Sequence, residues 1–148
     1  MLVRLPSITR LVYFGKLPAE LSRRAEACAR VDAAMIAATL PGRTLAQVFG
    51  DTTAAYAEVG FDGEWKLHHQ GGPAGYEARE YLELPGSSDV VLDGQAYAWN
   101  PSITGVKSED TVLVTSPGHE VMTEIPAWPV YEIEAGKELI KRPRILEV

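Results

Sequence analysis

The residues with the most chemistry to offer lie in a few short stretches. His68-His69 sets two imidazoles side by side. On an extended strand they take opposite faces, so one of them can face a pocket and serve as a general base or substrate ligand. Gly71-Gly72-Pro73-Ala74-Gly75 is a turn whose backbone amides can approach a ligand, or a tight loop that needs positive φ at glycine. Arg79-Glu80 splits between two faces in the same way, and an inward Arg79 has the planar fork that clamps a carboxylate, unless it forms a surface ion pair. Asn100 stands before Pro101 at a strand end, where it either forms a turn or lines a pocket. Glu109-Asp110 turns one carboxylate inward; with no metal beside it, that group must find an arginine or another donor, and Arg10 is the candidate partner. His119, in a turn after Ser116-Pro117-Gly118, is expected in solvent. Cys28 is the only cysteine, which excludes an internal disulfide and a cysteine-based zinc site, and it reads as a buried helix residue.

Composition narrows the setting of these residues. A chain of 148 residues with 46% hydrophobic and 23% charged side chains is expected to fold as a single domain over residues 1–148. Net charge is -6, and the basic residues are scattered apart from Lys141, Arg142 and Arg144, so nucleic acid is not an expected partner. No apolar run reaches the ~20 residues that span a bilayer, and the first fifteen residues lack a signal-peptide pattern, so a cytoplasmic protein without a membrane partner is expected.

Hydrophobic periodicity supplies the elements that must hold the site. Leu2 to Phe14 reads as a strand interrupted near Pro6, which has to pair with later chain, with another copy, or with sequence that lies outside this chain. Leu21, Ala25, Cys28, Val31, Met35 and Ala38 recur at intervals of three and four, which predicts an amphipathic helix from Pro18 to Leu40, stopped by Pro41-Gly42. Thr44-Leu45-Ala46-Gln47 matches a capping box and opens a second helix running to Gly60. Short strands follow at Trp65 to His69, Tyr76 to Leu82, Val90 to Leu92, Gln95 to Trp99, Thr111 to Thr115, Glu120 to Met122 and Tyr131 to Ile133, and Gly136 to Val148 reads as a terminal hairpin. The order implies an α+β layer, two helices over an antiparallel sheet.

Read together, Ser7-Ile8-Thr9-Arg10, the stretch from His68 to Tyr76 with Arg79-Glu80, Trp99-Asn100-Pro101, and Glu109-Asp110-Thr111-Val112-Leu113-Val114 resemble the creatinase/aminopeptidase (M24) metallopeptidase family. That family contains Xaa-Pro aminopeptidases and prolidase. The resemblance implies a partial pita-bread fold, truncated at its amino end, with two helices on a curved antiparallel sheet. Its metal-dependent members hold two divalent cations, such as Mn, Co or Zn, on two aspartates, a histidine and two glutamates. On this chain the first aspartate precedes Met1, the second falls on Ser7, the histidine on Gly72 and one glutamate on Asn100; Glu109 alone matches. No metal or other cofactor is therefore expected. The resemblance implies a domain degenerate as a metallohydrolase that acts as a binding or regulatory module, as in relatives with antitoxin-type names. A metal-free, creatinase-like hydrolase of a small C–N substrate with His68 or His69 as base, and a residual metallopeptidase, are the alternatives. Arg10, Tyr76, Arg79, Glu80, Asn100 and Glu109 are the expected pocket residues. Partners are expected to be a second copy in a homodimer, a protein partner, or a peptide or small-molecule ligand.

Overall fold

The computed structural model describes residues 6–75 and 86–148. Tyr76, Arg79, Glu80 and the strand expected from Tyr76 to Leu82 fall outside the described residues. Both predicted helices form. α1 (Ala19–Ala38) starts behind Pro18, whose fixed φ suits a helix entry, with Glu20 in its first turn. α2 (Leu45–Glu58) starts at Thr44, where the Thr44 hydroxyl accepts from Gln47 N–H and the Gln47 side chain accepts from Thr44 N–H. Ala25, Cys28, Val31, Met35 and Ile36 are buried on the inner stripe of α1. Burial pushes the Cys28 thiol up to about 12, so it is a packing residue and not a nucleophile.

The principal sheet is antiparallel, in the order β2 (Gly71–Ala74), β3 (Ala96–Trp99), β6 (Asp110–Val114), β7 (His119–Val121). A short hairpin of β4 (Ser102–Ile103) and β5 (Val106–Lys107) extends the β3–β6 pair. A second hairpin joins β8 (Val130–Ala135) to β9 (Glu138–Pro143). α1 lies against both hairpins and β3, while α2 packs along α1. Trp99 anchors the contact: it is 1% exposed and its indole N–H donates to the Thr39 hydroxyl at 3.0 Å.

Four expectations change. Among the described residues of the strand expected from Leu2 to Phe14, only β1 (Val12–Tyr13) is extended into a ladder, and it pairs in parallel with β10 (Leu146–Glu147). The terminal hairpin lies earlier than expected, because Gly136 with φ +59 turns β8 into β9 and releases the last residues to β1. Trp65 to His69 is no strand; Glu64–Leu67 is a 3-10 turn that starts at Gly63 with φ +90, and Trp65 packs edge-on against Phe49. Val90 to Leu92 makes only a single bridge, Val90 to Thr44.

His119 is not in solvent. Its side chain is 3% exposed, with Nδ1 2.5 Å from a Glu138 carboxylate oxygen and Nε2 2.8 Å from the Thr39 carbonyl. Those contacts tie the end of α1 to β9 through the edge strand β7. A turn pattern marks where the chain reverses but carries no signal of what packs over it.

Candidate functional site: two faces of one sheet

Side chains alternate along β3–β4 and β5–β6, and membership of the apolar core, with the contacts of Ser108 to Asp32 and of Asp110 to Arg142, shows which set meets the helices. Tyr97, Trp99, Ile103, Val106, Ser108, Asp110, Val112 and Val114 are buried toward α1 and its hairpins. Ala98, Asn100, Ser102, Lys107, Glu109 and Thr111 therefore point the other way. The register sets them in rows, with Ala98 opposite Thr111, Ser102 opposite Lys107, Gly72 opposite Ala98, and Thr9 bridged to Glu109.

The helix-side face holds a buried ion cluster. The Arg142 side chain, 0% exposed, donates from Nε to Asp32 at 2.8 Å and from Nη2 to Asp110 at 2.7 Å. Arg10 grips the same Asp110 with both terminal nitrogens, at 2.8 and 3.2 Å. The Ser108 hydroxyl donates to Asp32 and the Thr123 hydroxyl to Asp110. Arg10 is thus the partner of Asp110 and not of the Glu109 carboxylate. The reason is strand alternation: Thr9 shares the face of Glu109, so its neighbour Arg10 shares the face of Asp110.

This cluster gives the chain a pH-dependent stability. Burial outweighs the Arg142 charge and pushes the Asp32 carboxyl up to about 6 from an ordinary 3.8. The Arg142 guanidinium stays charged, since its two carboxylates more than offset its burial. Between those two values the folded chain holds a proton that the unfolded chain has lost, so this contribution to stability falls as pH rises through the window and is flat outside it. At about 1.36 kcal/mol per pK unit the fall is expected to reach up to about 3 kcal/mol. Urea unfolding across the window measures it. Asp32→Asn is expected to flatten the slope, and a variant with the original slope would assign it to another group.

The opposite face carries the sequence-predicted polar residues. The Thr9 hydroxyl donates to Glu109 Oε2 at 2.5 Å, and Lys107 Nζ stands 2.9 Å from the same oxygen. Ser7 N–H donates to the Thr111 hydroxyl at 2.7 Å. Asn100 is 7% exposed, and its Oδ1 is buried with no hydrogen-bond partner among the described residues. Next to it, Ser102 Oγ hydrogen-bonds His68 Nε2, whose Nδ1 faces the His69 carbonyl at 2.5 Å. Of the histidine pair only His68 has its ring in this row; the His69 ring is exposed. Lys107, Ser102 and Thr9 were not singled out from sequence, although each lies two residues, or one bridge, from Asn100 or Glu109. Cavities of about 400 and 600 Å³ lie elsewhere, the smaller beside Arg10, His119 and Trp128 and the larger between the helices and β8.

The described donors on this face do not fit a pair of divalent cations. Among the described residues no group of three or more His, Cys, Asp or Glu side chains is placed to hold a metal. The matching carboxylate, Glu109, already has an ammonium group at contact distance.

The family model for metallopeptidase family M24 matches residues 7–116, which is most of the chain. The chain belongs to metallopeptidase family M24. Agropine synthesis cyclase of Rhizobium rhizogenes is 31% identical to this family member over 113 residues, covering 72% of this chain and 28% of that protein. An uncharacterized peptidase of Staphylococcus saprophyticus is 29% identical over 122 residues, 78% of this chain and 35% of the other. In structure the family member superposes on a dipeptidase of Mycobacterium ulcerans with TM-score 0.74 at 22% identity, covering 95% of this chain and 35% of that one. The Xaa-Pro dipeptidase of Bacillus anthracis gives 0.72 at 22% identity, covering 95% and 37%. The fold is therefore part of a pita-bread domain, and the chain spans about a third of the length of these relatives.

No helix among the described residues is long and apolar enough to cross a membrane.

Proposed function

We propose that this family member is a metal-free binding module, in which fixed side-chain charges occupy the face that holds cations in metal-dependent relatives. The observation that carries the reading is the contact of Lys107 Nζ with Glu109 Oε2 at 2.9 Å. An ammonium group at that carboxylate meets its need for a positive partner without a metal. By the family resemblance, three of the other ligand positions fall on Ser7, Gly72 and Asn100, which supply no anionic or imidazole donor. A carboxylate beside an ammonium suits a peptide or amino-acid-derived ligand, whose amine and carboxylate pair with Glu109 and Lys107 in turn.

Matching a protein named as a cyclase, as well as ones named as peptidases, supports chemistry in this family that is not limited to peptide hydrolysis. Ile8, Val12 and Phe14 are exposed, Phe14 by 85%, which supports self-association through the amino-terminal edge although β1 is paired within the chain.

The test is hydrolysis of Xaa-Pro dipeptides with and without added Mn or Co, followed by NMR titration with the same peptides. No turnover under either condition, with shifts at Lys107 and Glu109, is expected. Turnover that depends on added metal would overturn the reading.

A further inference from the structure

The row that contains His68, Ser102 and Lys107 has the parts of an acyl-transfer site. A serine nucleophile needs a base in hydrogen-bond contact with its hydroxyl and a third group to orient that base. Ser102 Oγ contacts His68 Nε2, and His68 Nδ1 lies 2.5 Å from the His69 carbonyl, an acceptor. That carbonyl fixes the tautomer: Nδ1 carries the hydrogen, which leaves Nε2 to accept from Ser102. Both residues are half-buried, so solvent reaches them.

The support beneath the pair is more ordered than a chance surface contact requires. Tyr56 is 0% exposed, and its hydroxyl accepts from Ser102 N–H at 3.0 Å while lying 3.0 Å from the Ser102 carbonyl and 2.9 Å from Gln70 Oε1. Gln70, 1% exposed, donates from Nε2 to the His68 carbonyl and to the Trp65 carbonyl, each at 3.0 Å. One buried tyrosine–glutamine pair thus fixes the backbone on both sides of the contact, as a site needs when its geometry must be held by packing. Ser102 has Lys107 as its direct cross-strand partner, so the two side chains share one face, on which the Lys107 ammonium group pairs with Glu109.

We propose that Ser102 is a nucleophile with His68 as its general base, and that the site takes small carboxylic esters. Ser102 Oγ attacks the ester carbonyl carbon, forming the new C–O bond as its proton passes to His68 Nε2. The tetrahedral oxyanion develops on the face that Ser102 shares with Lys107. Collapse breaks the bond to the leaving alkoxide, which takes the proton from His68 and departs as the alcohol. Water then attacks the acyl-Ser102 ester, giving its proton to His68, and the carboxylic acid leaves as Ser102 Oγ recovers a proton. Esters are the substrate class because the orienting group is a neutral carbonyl. Without a carboxylate to stabilise the imidazolium, His68 suits the better leaving groups of esters over amides.

The inference adds a covalent step to the binding role and does not rest on it. Its test is run in excess chelator, so the presence or absence of metal binding leaves the outcome unchanged. The chain is incubated with an alkyl fluorophosphonate, the adduct is mapped by mass spectrometry, and release of p-nitrophenol from p-nitrophenyl acetate is followed under the same conditions. Adduct at Ser102 and an initial burst of nitrophenol are expected. Both should be lost in Ser102→Ala, and the rate should fall by about 10²-fold or more in His68→Gln. Circular dichroism of each variant separates loss of the nucleophile from loss of the fold, and the wild-type adduct map stands even if a variant unfolds. No adduct at Ser102 in the wild-type chain, or labelling there that His68→Gln leaves unchanged in a folded variant, would overturn the proposal.

Discussion

Replacing Arg142 with methionine is expected to lower the stability of the fold by about 3–5 kcal/mol, the range for removing one partner of a buried ion pair. Methionine fills much of the space, but Asp32 and Asp110, each 1% exposed, lose the charge that bridges them. Asp110 keeps Arg10 and Thr123. Among the described residues Asp32 keeps only the Ser108 hydroxyl, and its Oδ1 is already buried without a partner there. The loss is read from urea unfolding above pH 7, above the value of about 6 that Asp32 has in the unsubstituted chain. Adding Asp32→Asn to the variant is expected to restore part of the stability, because the stranded charge goes with it. A loss of less than about 1 kcal/mol would show that the cluster does not hold the hairpin and the sheet together.

Gly71→Ala is expected to be comparably severe, for a reason of space. Gly71 has φ +117, a conformation that L side chains rarely adopt, and an added Cβ would lie 2.1 Å from the Ala98 carbonyl oxygen and 3.0 Å from the Trp99 Cα. Backbone strain contributes about 1–3 kcal/mol and the forced separation of two strands about 1–3 more, so roughly 2–6 kcal/mol is expected in all. Gly94→Ala is the comparison: Gly94 has φ +75 with nothing within 4 Å, so only the strain applies. If the two variants unfold at the same denaturant concentration, the close approach of β2 and β3 is not what makes glycine necessary at position 71. Because Gln70 and His68 directly precede this strand, the folded fraction of Gly71→Ala is also expected to lose the Ser102–His68 contact.

Sequence periodicity carried the helices because each has a local cause. The capping box at Thr44 and Gln47 and the apolar stripe from Leu21 to Ala38 are properties of neighbouring residues, and both appear where expected. The sheet was less legible where pairing overrides propensity. Gly71–Ala74 looks like a loop, yet it forms β2 because glycine lets two backbones approach. Trp65 to His69 looks like a strand, but Glu64–Leu67 turns as a 3-10 helix that starts at Gly63 with φ +90.

The candidate site was legible as a set of positions and illegible as a set of contacts. Asn100 and Glu109 lie in adjacent positions on one face, which the alternation of two facing strands predicts once their register is known. The register itself is a long-range fact: Glu109 bridges Thr9 and faces Lys107, whereas Arg10 crosses to Asp110 on the other face. The same long-range pairing brings Ser102 to His68, which are 34 residues apart in sequence.

The most direct test of the account is the metal content of the protein, purified without chelator, dialysed against excess Mn, and measured by elemental analysis beside a Glu109→Ala variant. Far less than one ion per chain in both proteins is predicted, because Lys107 already meets the charge of Glu109 and no cluster of three or more metal-binding side chains lies among the described residues. One or two ions per chain, lost when Glu109 is replaced, would contradict it.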